Sequence, residues 1–179
     1  MNIGIIQFYN NQVDYGVYSE KINQEYCNQK GYKYICDTDS NKIALVLNGK
    51  APTWYKPRLL QQAFSDHPDL DYLLFLDADA IINDFSQSIE DFIDPQYDIV
   101  VAEDIGHHSV MNAGVILLKN TQWVKGFLEK WWKSGEEFTG NDAKHLNIQT
   151  LLPQHIEQTG VFQNALWHDQ TCFTLLYKN

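Results

Sequence analysis

From Tyr72 to Ile82 the chain reads YLLFLDADAII, an apolar run that stops at two carboxylates and then resumes. A run this short, bulky and unbroken predicts a strand covered on both faces, because a strand open to water on one side would alternate with polar residues. Strands buried in this way belong to parallel sheets flanked by helices. With the strand and helix units that flank it, the segment favours the α/β class.

The flanking sequence supplies the units such a sheet needs. Ile3 to Tyr9 forms an apolar first strand that ends in Asn10-Asn11. Between Val17 and Lys30, residues Tyr18, Ile22 and Tyr26 recur every four positions and Gly31 follows as a terminator, which predicts a helix with those three side chains turned inward. Tyr32 to Cys36 makes a second strand ahead of the polar cluster Asp37 to Asn41. Pro57 opens a helix with Leu59, Leu60, Ala63 and Phe64 on one face and a break at His67-Pro68. Leu70 to Asp77 is the third strand, and Asp98 to Ala102 and Gly114 to Leu118 are further buried strands around a mixed loop, Glu103 to Ser109. Asn120 is placed to cap a helix that carries Trp123, Val124, Phe127, Leu128 and Trp131 on one side and stops near Gly135. Shorter helical segments are expected at Ala143 to Leu152 and at Asp169 to Tyr177.

No repeat, low-complexity tract or linker divides residues 1–179. The alternation of strands and helices predicts one Rossmann-like α/β/α sandwich with a mostly parallel central sheet, compatible also with one domain of a longer polypeptide. Such sheets bind ligands beyond the carboxyl ends of their strands.

Thirteen basic and 23 acidic residues leave a formal charge of −10, a field that repels nucleic acid and anionic lipid. A phosphorylated ligand would need a cation to offset it. Cys27, Cys36 and Cys172 are odd in number and widely spaced, so neither a disulfide framework nor a zinc site is indicated. The opening run Ile3 to Ile6 lacks the length and basic flank of a signal peptide or membrane anchor, and the expectation is a soluble, cytoplasmic protein.

Asp77 and Asp79 leave a buried strand on either side of the small Ala78, and if the strand direction persists both carboxylates project to one side. There they can share Mg²⁺ or Mn²⁺, which favour oxygen ligands and can bridge phosphate oxygens. A bare Asp-x-Asp also occurs in solvated surface turns. The apolar flanks on both sides and the two upstream strand-helix units favour a site.

Trp54-Tyr55-Lys56-Pro57, LLFLDADAII, and Asn112-Ala113-Gly114-Val115 with Asn120 and Trp123 follow one another in an order that resembles the family 34 glycosyltransferases. These are galactosyl-, xylosyl- and mannosyltransferases of the nucleotide-diphospho-sugar transferase superfamily. The resemblance runs from about Gln7 to Leu176 and implies a GT-A fold. It also implies a manganese- or magnesium-dependent enzyme that moves a sugar from a nucleoside diphosphate, with uridine expected, to a glycan hydroxyl with retention.

Position by position, the resemblance gives Asp77 and Asp79 to the metal and Lys56, with Ala78, to the nucleotide. It gives Gln7, Phe8 and Tyr9 to the nucleoside, with Tyr9 stacking on the base, and Asp37 to the base imide. Asn112, Ala113 and Gly114 match the donor-sugar segment. Asp169 and Gln170 match an acidic-glutamine pair beneath the anomeric centre, where the glutamine carbonyl would stabilise positive charge; a helix-capping aspartate is the competing reading.

Two departures stand out: residues 1–179 do not include the anchor and stem of Golgi members or the continuation that supplies a metal-binding histidine. His107, His108, His145, His155 and His168 do not fall in its place. Two other readings stay open. One is a phosphatase of the haloacid dehalogenase type with Asp77 as nucleophile, and the other a catalytically silent nucleotide-sugar-binding module.

Overall fold

A computed structural model of the protein describes residues 1–104, 111–137 and 169–178. The expected helix at 143–152 and the five histidines named above lie outside the described residues. The first strand, β1 (Ile3–Phe8), is followed by α1 (Gly16–Lys30) and β2 (Lys33–Asp37). Next comes α2 (Ser40–Leu47), where the sequence reads only as a polar cluster. That cluster is the start of a helix: the Asp39 carboxylate accepts hydrogen bonds from the Asn41 and Lys42 amides at 3.0 and 3.1 Å.

A 3₁₀ turn, Pro52–Trp54, leads into α3 (Tyr55–Asp66) and β3 (Tyr72–Leu76). The remaining elements are β4 (Ile99–Glu103), β5 (Met111–Lys119), α4 (Gln122–Glu137) and α5 (Asp169–Lys178). The cap of α4 is Thr121, whose hydroxyl accepts the Val124 amide at 3.2 Å, and not Asn120, whose side chain instead donates to the Leu70 carbonyl at 2.7 Å.

The five strands lie in the order β2-β1-β3-β5-β4. β1 pairs in parallel with β2 and β3, whereas β5 runs antiparallel to both β3 and β4. The sheet is thus mixed: four strands share a direction and β5 opposes them. The consequence for function is direct, because reversal brings the beginning of β5, not its end, to the edge where β1 and β3 finish.

Strand alternation sorts the core. Ile6, Phe8, Leu73, Phe75, Ile116 and Leu118 pack with α2, α3, α4 and α5 on one face. Ile3, Ile5, Tyr72, Leu76 and Leu117 pack with Tyr26 and Cys27 of α1 on the other. This is the expected α/β/α sandwich. One expectation for α1 fails: Tyr18 is 68% exposed and Ile22 36%, and the residues turned inward are Gly16, Ser19, Asn23, Tyr26 and Cys27. Among the described residues no helix is long and apolar enough to cross a membrane.

Candidate active site

β3 ends at Leu76, and the chain turns at once, the Ala80 amide bonding back to the Asp77 carbonyl at 2.9 Å. Asp77 stays tied to the sheet because its own amide donates to the Gly114 carbonyl of β5 at 2.7 Å. Asp79 lies at the exposed tip of the turn. The Asp77 side chain is half-buried, 38% accessible, and it meets Lys56 at 3.0 Å.

Lys56 comes from the first turn of α3 and is itself only 3% exposed. An ammonium in so dry a place needs compensation. It has three partners: the Asp77 carboxylate, the Asp169 carboxylate at 3.1 Å and the Ala113 carbonyl at 3.2 Å. Burial opposes its charge, yet Asp169 and Asp77 outweigh burial and hold its pKa above the ordinary lysine value. Burial pushes the Asp77 carboxyl up, Lys56 pulls it down, and Asp169 and Asp79 add to the upward push, which prevails. A carboxylate held in this state gains from a further cation.

The beginning of β5 is shaped by a bulge. Val101 of β4 pairs with Ile116, but the next residue, Ala102, pairs with Asn112, so Ala113 to Val115 bulge away from β4 while Val115 stays paired with Leu76 of β3. The Ala113 amide and carbonyl and the Gly114 amide are thereby released from β4 and turned to the site. The Ala113 carbonyl receives Lys56, the Ala113 amide donates to the Gln170 side-chain oxygen at 2.9 Å, and the Gly114 amide donates to the Asn112 side-chain oxygen at 2.7 Å. A Cβ on Gly114 would fall 2.8 Å from both the Asp77 Oδ2 and the Asn112 Oδ1 atoms. Only glycine lets those two oxygens sit over the strand.

Asp169 and Gln170 open α5, and Trp131 of α4 fixes that end by donating its indole N–H to the Asp169 carbonyl at 2.8 Å. The Gln170 amide nitrogen reaches Asp104 at 3.3 Å. Asp169 is fully buried, so it acts on the site through Lys56. Lys56, Asp77, Ala113, Asp169 and Gln170, which the sequence spreads over more than a hundred positions, thus form one connected group.

Beside this group opens a cleft of about 230 Å³, lined by Phe8, Tyr9, Asn10, Gln12, Val13, Tyr15, Pro52, Thr53, Lys56, Asp77, Ala78 and Asp79. One end is apolar and aromatic, the other carries the ammonium and the carboxylates. The Tyr9 ring lies flat on Gly16, where a Cβ would come within 2.4 Å of it, and its hydroxyl donates to Glu20 at 2.5 Å.

Two expected nucleoside residues sit elsewhere. Gln7 is 1% exposed and points to the α1 face, with its amide nitrogen on the Asp77 carbonyl at 2.9 Å, so it lies beneath the turn and not in the cleft. Asp37 does not line the cleft; its carboxylate takes the Lys42 ammonium and the Tyr55 hydroxyl, each at 2.6 Å. Sequence reasoning passed over Ser19 and Asn23 of α1, which also meet the turn. Their signal was a polar residue at inward helical spacing.

The oxygen donors fit a hard divalent cation. Among the described residues no three His, Cys, Asp or Glu side chains converge as a metal cage; Asp77 and Asp79 are the carboxylates of the turn that could contribute ligands.

Comparison with known proteins points one way. The model of the galactosyl transferase GMA12/MNN10 family matches residues 6–97, just over half the chain. The chain is 25% identical to galactomannan galactosyltransferase 1 of Cyamopsis tetragonoloba over 88% of its own length and 35% of the relative's. It is 28% identical to the probable xyloglucan 6-xylosyltransferase 1 of Oryza sativa subsp. indica, over 81% of this chain and 32% of that one. The chain therefore spans about a third of the length of these two curated relatives. A crystal structure of a glycosyltransferase involved in glycosylation of the major capsid of PBCV-1 superposes with a TM-score of 0.62 at 19% identity, covering 86% of this chain and 77% of that one. That likeness establishes the glycosyltransferase fold.

Proposed function

The chain belongs to the galactosyl transferase GMA12/MNN10 family, and from that premise we propose that its cleft binds a nucleoside-diphosphate sugar, uridine-linked, and transfers the sugar to a glycan hydroxyl with retention. The observation that carries the proposal is the junction, at one sheet edge, of an aromatic-walled cleft with Lys56 and the Asp77-Asp79 turn.

Each part of the donor has a complementary part of the cleft. Tyr9, rigid on Gly16, offers a flat face for a pyrimidine ring. Asp77 and Asp79 would hold Mn²⁺ or Mg²⁺, and the ion would supply positive charge to the diphosphate. Lys56 adds a fixed positive charge at the same end, held by Asp169 so that it does not collapse onto Asp77 alone. Asn112 and Gly114 border the Asp77 carboxylate where the sugar would follow the diphosphate. Gln170, pinned by the Ala113 amide and Asp104, presents a carboxamide dipole to that region. In the reaction the bond from the anomeric carbon to the diphosphate oxygen breaks, one to the acceptor oxygen forms, and the acceptor hydroxyl's proton passes to the departing diphosphate.

A melting-temperature series with UDP, GDP and their hexose conjugates, each with Mn²⁺ or with EDTA, tests the proposal, because a ligand of the folded state raises apparent stability. A rise with uridine nucleotides that needs Mn²⁺ is expected. No rise with any nucleotide would remove the proposed donor site.

A further inference from the structure

The turn that presents Asp77 and Asp79 is surface chain with an exposed tip, and such a segment ordinarily moves. Here three of its carbonyls are captured by buried side chains. Ser19 (4% exposed) directs its hydroxyl to the Ala78 carbonyl, which shares that one proton with the Gly16 carbonyl at 2.9 Å. Gln7 donates to the Asp77 carbonyl at 2.9 Å, and Asn23 (0% exposed) to the Ala80 carbonyl at 2.9 Å. The Asn23 side-chain oxygen in turn accepts the Ile82 amide at 2.9 Å.

The donors are themselves fixed. The Gln7 side-chain oxygen accepts from Asn23 at 2.8 Å and from the Tyr34 hydroxyl at 2.7 Å, so its amide has one orientation only. Every polar atom of the Gln7 and Asn23 side chains is used, which makes the network stiff and costly to leave half-satisfied. An apolar face on α1 would have packed the sheet more simply. The polar one serves the turn.

We propose that Ser19 and Asn23, with Gln7, are positioning residues that preorganise the Asp77–Ala80 turn to receive the divalent cation. The inference rests on the nucleotide-sugar reading of the same cleft. Their contribution appears in the metal-dependent part of nucleotide affinity, since a turn already held in the binding conformation spends no binding energy on ordering. The aromatic end of the cleft does not use these bonds.

The test is calorimetric titration of UDP, once with Mn²⁺ and once with EDTA, on the wild type, Ser19→Ala and Asn23→Leu. Wild type is expected to bind UDP more tightly with Mn²⁺. In Ser19→Ala that tightening should fall about fivefold, the weight of one net hydrogen bond, with EDTA affinity unchanged. Asn23→Leu, which loses more bonds, should lose more of the tightening. If Asn23→Leu does not fold, Ser19→Ala decides alone. Full Mn²⁺ tightening in a folded Ser19→Ala overturns the positioning role while leaving the nucleotide site standing. So does an equal fall with Mn²⁺ and with EDTA, the mark of a merely loosened fold. No Mn²⁺ tightening in wild type overturns both.

Discussion

Helices α1 and α4 cover opposite faces of the same sheet, and each has large side chains at helical spacing, but they bury different chemistry. α4 turns Val124, Phe127, Leu128 and Trp131 into the core, all at 7% exposure or less. Trp131 meets Phe173 of α5 edge to face at 4.8 Å. α1 turns Gly16, Ser19 and Asn23 inward and leaves Tyr18 and Ile22 outside. The two helices differ because α4 packs on side chains along its length, whereas the first half of α1 meets backbone carbonyls through Ser19 and Asn23 and only Tyr26 and Cys27 join the apolar core. Where a helix covers a turn whose backbone carbonyls point inward, hydrogen-bond demand overrides hydrophobic periodicity.

This contrast can be broken most forcefully at Trp131. Trp131→Ala removes a fully buried indole and the bond that fixes the start of α5, and the loss of stability should be about 3–5 kcal/mol, read by chemical denaturation. A loss no greater than that of a surface substitution would mean that α4 does not carry the core. Trp123 tests the outer side of the same helix. It is 60% exposed despite the expectation that it faces inward, and it stacks on Phe127 at 5.6 Å, so Trp123→Ala should cost only about 0.5–1.5 kcal/mol. The smallest effect belongs to α1, where Tyr18 and Ile22, two of the three residues expected in the core, lie outside. Ile22→Ser should change stability by less than about 0.5 kcal/mol, and a loss of several times that value would restore the inward face its spacing suggests.

Much of this arrangement was legible in the chain. YLLFLDADAII gave both the buried strand and the two carboxylates at its end, because burial on both faces and a strand terminus leave clear marks. Lys56, Asn112 to Gly114 and Asp169-Gln170 were found through resemblance, and the structure joins them around one ammonium. What the chain concealed depends on pairing between distant segments. The reversal of β5 and its bulge at Ala113 to Val115 leave no local pattern, yet they decide which end of that strand reaches the site. Gln7 looked like a cleft residue because it lies near the end of a strand, but period-two alternation turns it to the α1 face. Helix α2 was missed because the Asp39 cap reads equally well as a loop.

The central claim is that the Asp77–Asp79 turn and the cleft beside it form one donor site for sugar transfer. Slow donor hydrolysis tests it most directly: release of UDP from UDP-hexoses in Mn²⁺, measured for wild type and for Asp79→Ala with matched folding by circular dichroism. The account predicts release by the wild type that stops on chelation and is abolished in Asp79→Ala. Release unchanged by that substitution would contradict it.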